Sequence, residues 1–337
     1  MSSLRRFFRF SAHLQLLPAL ESGEETLVGG QAVMEGVMMR APHSYSVAVR
    51  KASGEIVSET APLGKVSEKY PIFKYPLLRG IGTLGQAMWL GVRALKFSAN
   101  VAMEEEQAAA AAKGETGGKP AKKESFSDWA MILNLVFSLG FFIFLYKFVP
   151  LFLTRQAEQI FPIIHNRILF NLVDGIIRLS IFLSFLWVIS RFKDIHRVFQ
   201  YHGAEHKVVF NYESGRPVTV ENAQSFVTWH PRCGTSFLIV VMIISMLVYM
   251  LLPFDGFLEK FLSRIVLLPV IAGVSYEVIR FAAKHPGSLM TLMTAPGLWL
   301  QRITTQTPDD QQAEIAIVAL QHAMELEKQQ GGELVIA

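Results

Sequence analysis

Two histidines four residues apart, His202 and His206 in the run His202-Gly203-Ala204-Glu205-His206, are the residues best placed to do chemistry. On a helix this spacing stacks both imidazoles on one face, within reach of a single metal ion. Glu205, on the same turn, is a carboxylate that could take a proton from a water at that ion. A second polar cluster, His230-Pro231-Arg232-Cys233-Gly234, holds the only cysteine of the 337 residues. The expected cofactor is therefore a divalent metal, zinc before others, because imidazole and thiolate donors suit it.

The H-x-x-E-H order is that of the inverted zincins, which leaves three ways to complete the shell. His230 and Cys233 could both join the pair, giving a closed four-ligand, structural site. Glu277 could be the third ligand, with water fourth and Glu205 as base; antiparallel threading sets it about 9 Å inside the membrane boundary. Or His230 or Cys233 is the third ligand and Glu277 stands behind it. Glu277 could instead pair with Arg280 three residues on, and Asp174 with Arg178 four residues on. Glu35, flanked by methionines, needs a partner such as Arg40 or a substrate group if buried. No phosphate-binding glycine fingerprint is present.

The elements that must position these groups read as membrane-embedded. Apolar residues make up 51% of the chain, charged residues 18%, and mean hydropathy is +0.33. Stretches 129–153, 168–190, 236–254 and 261–283 each reach the roughly 20 apolar residues needed to span a bilayer as helix. Lone charges within them (Lys147, Asp174, Arg178, Glu277, Arg280) are tolerated only when paired, snorkelling or facing protein. Lysines 113, 119, 122 and 123 precede the first span, and six Lys or Arg residues lie between the second and third. The opposite loops are poorer in them, so both termini and the 191–235 loop are expected in the cytoplasm of a bacterial inner membrane. A net charge of +4 fits contact with anionic lipid and gives no reason to expect nucleic acid. One cysteine allows no internal disulfide.

Residues 1–26 read as an extension that lies on the membrane surface, and 27–66 as a small cytoplasmic β-rich unit. Within that unit 44–51 and 55–60 alternate around a Ser53-Gly54 turn. Glycines 29, 30 and 36 imply tight turning or close approach. The glycine-rich stretch 70–103 suggests an interfacial or re-entrant helix, and 104–127 a flexible linker. In the 284–337 region, 309–328 reads as an amphipathic helix with Ile315, Val318, Ala319, His322 and Leu326 near one face.

Three blocks, GGQAVMEGVMMR (29–40), YHGAEHKVVFNYE (201–213) with HPRCGTSF (230–237), and SYEVIR (275–280), resemble the YqhQ-like family. These are poorly characterised bacterial multi-pass membrane proteins, described as predicted metal-dependent enzymes. The resemblance implies a metal but no substrate. The fold expected is an α-helical polytopic membrane protein of about four transmembrane helices with a cytoplasmic β-rich N-terminal unit. Its activity would be hydrolysis of a membrane-associated substrate at a zinc site on the cytoplasmic surface. The alternative is a non-enzymatic membrane scaffold or assembly factor with a structural metal or none.

Overall fold

The computed structural model describes residues 28–64, 66–112, 128–230, 233–285 and 289–329. The expected N-terminal extension, most of the expected linker and the extreme C-terminus lie outside them.

Four antiparallel strands form one sheet in the order β1 (Gly29–Val33), β2 (Gly36–Arg40), β3 (Ser44–Arg50) and β4 (Ile56–Pro62). The β3–β4 hairpin turns at Gly54, whose φ of +88° suits a residue without a Cβ. In the β1–β2 hairpin the residue in the left-handed region is Glu35, φ +52°, and not one of the glycines. Gly36 serves close approach instead: a Cβ there would run into the Ala48 carbonyl of β3.

Alternation along β3 predicts one wet face, yet Ser44 to Val49 are all buried. Both faces of the sheet are covered. Helix α1 (Leu78–Ala112) packs its Leu90, Ala94 and Val101 on Val33, Met38, Tyr45, Val47 and Val49. The other face, Val37, Met39 and Ala48, meets α5 (Lys193–Glu213) and α11 (Asp310–Gln329). Burying each such side chain contributes about 1.5–3 kcal/mol. Because α11 is wedged between sheet and α5, its buried set extends beyond the expected stripe to Gln312, Ala313, Ala316, Leu320, Ala323 and Glu327. Val318, His322 and Leu326 are only half-buried flanks.

The apolar helices follow. The first runs as α2 (Asp128–Ile143), a π-helical turn (Phe144–Phe148) and α3 (Val149–Ile160); α4 is Arg167–Ile189 and α7 is Gly234–Leu251. These three are long and apolar enough to cross a membrane. A fourth crossing requires α8 (Phe257–Val266) and α9 (Leu268–Lys284) to act as one span bent by 52°. Pro269, in the first turn of α9, cannot donate a backbone hydrogen bond back into α8, which accounts for the break. The 70–103 region contains no re-entrant reversal: α1 is one continuous helix through Ala112, docked on α9, where Gly80 meets the Tyr276 ring. The last helix of the bundle, α10 (Leu289–Thr304), lies along α7, with Gly297 against Ser236. A short helix, α6 (Val220–Gln224), sits in the loop after α5.

Candidate metal centre

Three residues separate the end of α4 from the start of α5, so the end of a bundle helix sets where the histidine pair stands. His202 and His206 lie on the same face with ring centroids 4.5 Å apart. Their Nδ1 atoms are both committed to backbone carbonyls. His202 Nδ1 donates to Thr304 O at 2.8 Å, and His206 Nδ1 to Thr228 O at 2.5 Å. A carbonyl oxygen only accepts, so both protons sit on Nδ1 and both lone pairs on Nε2. Metal-binding histidines are characteristically oriented in this way.

The Nε2 atoms point at Cys233, the residue that caps the start of α7. His202 Nε2 lies 3.2 Å from Cys233 Sγ. One ligand atom from each of His202, His206 and Cys233 fits within 4.8 Å of the others, and no other such His/Cys/Asp/Glu group occurs among the described residues. In a tetrahedral zinc shell, nitrogen and sulfur ligands stand about 3.5 Å apart, so small side-chain movements suffice. His206 is 2% exposed and its Nε2 is buried without a hydrogen-bond partner, an arrangement that an ion would satisfy. The donor set therefore fits a zinc ion.

The neighbours hold this geometry. A Cβ on Gly203 would overlap the carbonyl oxygen of Gln306, so the glycine lets the 304–307 segment lie against α5. Gln306 N–H bonds Phe199 O at 2.9 Å in the same strap. Gly30 of β1 likewise has no room for a Cβ, which would overlap the Met38 carbonyl oxygen first, then Met39 Sδ, and would stand 3.0 Å from Glu205 Cγ. Glu205 is buried; burial raises its pKa, against His202, His230 and a hydrogen bond from the Gly30 N–H, which act to lower it. Burial likewise lowers the pKa of His206, against the neighbouring thiol, and brings His230 down to about 4, with Glu205 opposing. Both rings are thus neutral at neutral pH, as ligation requires of His206.

His230 stands beside the cluster and outside it. Its ring is 5.7 Å from that of His206, its Nε2 is 3.4 Å from Glu213 Oε2, and its backbone is clasped by the Gln301 amide at 2.7 and 2.8 Å. The structure thus gathers three donors and leaves the closed four-ligand shell unassembled. Glu277 is also elsewhere: Arg79 of α1 takes both its oxygens, one at 2.6 Å, and Leu77 N–H bonds it at 3.3 Å. The alternative partner, Arg280, forms no ion pair among the described residues and acts on Glu277 only from a distance, because α1 docks on α9 at that turn. Glu35 is held by Arg197 through two hydrogen bonds and by Tyr201 Oη at 3.2 Å. Arg40 is not its partner: among the described residues it makes no side-chain hydrogen bond or ion pair, and the group acting on it is Tyr276, while the hairpin turn aims Glu35 at α5. Arg79, Arg197, Thr228, Gln301 and Thr304 carried no sequence signal, since a carbonyl can come from any residue and a counter-ion from any basic one.

With this geometry described, the relatives can be compared. The family described as "Protein of unknown function (DUF1385)" matches residues 75–326. The chain belongs to this family. It is 36% identical over 304 residues to a Bacillus subtilis (strain 168) protein called "Uncharacterized protein YqhQ", covering 89% of this chain and 92% of that one. No solved structure matches.

Proposed function

We propose that this protein binds a zinc ion through His202, His206 and Cys233 at the cytoplasmic surface of a bacterial inner membrane. It uses the ion to hydrolyse an amide, ester or phosphoester of a membrane-associated substrate. One observation carries the reading: both Nδ1 atoms are tied to carbonyls, so both Nε2 lone pairs converge on the only thiol. When bound, zinc supplies Lewis acidity and makes a water acidic enough to lose its proton near neutral pH. Three protein donors leave a fourth position for that water or a substrate oxygen. Glu205 serves as the base, since a carboxylate whose pKa is raised by burial holds a proton better than an exposed one. The distribution of Lys and Arg among the loops supports the cytoplasmic assignment.

A second reading, a scaffold in which the metal is structural, is favoured by the contact of Glu205 with Gly30, which joins α5 to β1. Full-length protein in detergent separates the two. His202→Ala, His206→Ala and Cys233→Ser should each lose stoichiometric zinc, measured by mass spectrometry of the metal, and Glu205→Gln should keep it. Zinc retained in the double histidine variant would overturn the metal site. An enzyme with Glu205→Gln keeps metal and melting temperature but fails to complement a deletion strain; full complementation refutes the hydrolase and leaves the scaffold.

A further inference from the structure

At the end of α7 away from the histidine pair, about 24 Å along the helix from Cys233, three cations and one carboxylate are buried together. Lys147, Arg178 and Arg264 are 6%, 3% and 2% exposed, and Asp174 is 0%. The i,i+4 pair expected between Asp174 and Arg178 forms, and Arg264 Nη1 adds a bond to Asp174 at 2.6 Å. Arg264 Nη2 bonds Asn171 Oδ1 at 3.2 Å, and Arg178 Nη1 bonds Ser245 Oγ at 2.7 Å. Lys147 Nζ reaches only the hydroxyl of Tyr249, at 3.0 Å. All three cations lie within 5.4 Å of the Tyr249 ring centroid.

Basic side chains outnumber carboxylates. Among the described residues Asp174 is the one acidic group acting on Lys147, which also faces Arg178 and Arg264, so three basic groups share a single carboxylate among apolar helices. Burying an uncompensated charge is unfavourable, and ionisable groups buried among apolar helices mark ligand or ion sites. A small recess, sharing Tyr249 and Arg264 with the cluster, opens beside it. Its polar wall includes Asn171, Lys260, Ser263 and Arg264, and its apolar rim Leu252 and Phe254. Lys260 lies half-buried over the Phe170 ring at 3.9 Å, with Glu158 and Asp255 as its acidic neighbours.

We propose that this pocket binds a phosphate group, entering from the face opposite the histidine pair. A phosphate answers this excess of basic groups, and guanidinium, ammonium and hydroxyl donors, here Arg264, Lys260 and Ser263, are the groups that bind its oxygens. The apolar rim suits the glycerol and first methylenes of a lipid as well as it suits the edge of a free phosphate site.

The test uses full-length protein. In detergent it is titrated with inorganic phosphate by calorimetry. In nanodiscs of phosphatidylcholine with increasing phosphatidic acid, bound lipid is counted by native mass spectrometry. Saturable binding of at least one probe is expected, weakened about tenfold in Lys260→Gln, which loses one charged contact at a half-exposed position. Binding of both probes makes the phosphate group itself the determinant; binding of lipid alone assigns the site to a headgroup. Lys147→Met should weaken binding comparably by removing one of the cluster's basic groups. Failure of both probes to saturate wild-type protein, or unchanged affinity in both variants, would overturn the proposal.

Discussion

Replacing Gly203 with alanine should destabilise the protein, against the usual effect of that change in a helix. In an open helix interior, Gly→Ala stabilises by about 0.5–1 kcal/mol. At 203 the new methyl would occupy the space of the Gln306 carbonyl oxygen, a backbone atom with no rotamer to escape into. The 304–307 strap would have to retreat from α5, breaking the Gln306–Phe199 hydrogen bond at 2.9 Å and loosening that of Gln200 Nε2 to Thr307 O at 3.4 Å. Overpacking of this kind costs about 1–3 kcal/mol and the lost bond about 0.5–1.5 kcal/mol. The net expectation is a loss of about 0.5–4 kcal/mol, since these penalties exceed the helix-propensity gain. The same retreat withdraws the Thr304 carbonyl from His202 Nδ1, and loss of such an orienting partner lowers metal affinity about 10- to 100-fold. Thermal unfolding in detergent, with zinc titrated against a competing chelator, reads both effects. Gly85→Ala in α1 is the control: nothing lies within 4 Å of its Cβ, so it should be neutral or stabilising. A Gly203→Ala protein as stable as wild type would refute the close packing of strap and helix.

Glu327 is buried and accepts from His43 N at 2.9 Å, His43 Nδ1 at 2.7 Å and Ser44 Oγ at 2.9 Å. Burial pushes its pKa up, but these bonds outweigh it and set the value below the usual carboxylate range. Its contribution is therefore complete above the unfolded carboxyl pKa and lost as pH falls through the lower folded value. Glu327→Gln should cost about 1–3 kcal/mol at neutral pH, and the gap from wild type should begin to narrow as pH falls below the unfolded carboxyl value of about 4.3; a constant gap down to pH 3 would count against this. For orientation, Ile163→Cys (72% exposed at Ile163, between α3 and α4) in a Cys233→Ser background should react with impermeant maleimide on intact spheroplasts. Arg216→Cys should react only after permeabilisation, and the reverse pattern would invert the proposed topology.

What was legible in the sequence was local. The β3–β4 hairpin follows from alternation and Ser53-Gly54, and the stacking of His202 on His206 follows from helical pitch. Groups positioned by distant contacts were not legible. Glu277 looked available as a ligand because its counter-ion, Arg79, lies 198 residues away in a helix that docks only in the folded chain. Arg280 was the nearer candidate and lost. Glu35 pairs with Arg197 because its own left-handed backbone turns it toward α5, and nothing in a Met-Glu-Gly tripeptide announces that the glutamate takes the strained position. Cys233 and His230 looked equivalent as third ligands; the Gln301 amide, 71 residues on, holds the His230 backbone, and its ring lies off the donor cluster.

The π-turn at Phe144–Phe148 has a consequence for the whole first span. A π-turn takes up one residue more than an α-turn, so side chains beyond it are rotated about 100° from where an unbroken helix would set them. Ahead of it, Ile132 to Phe142 are exposed all round; beyond it, Leu151, Thr154 and Glu158 form a buried stripe, with Leu151 against Ile164 and Phe170. The span is thus two helices on one axis, out of phase, the first clothed by whatever surrounds the protein and the second by the protein itself. Deleting a single residue from 144–148 would bring the two into phase and swing that stripe away from its neighbours.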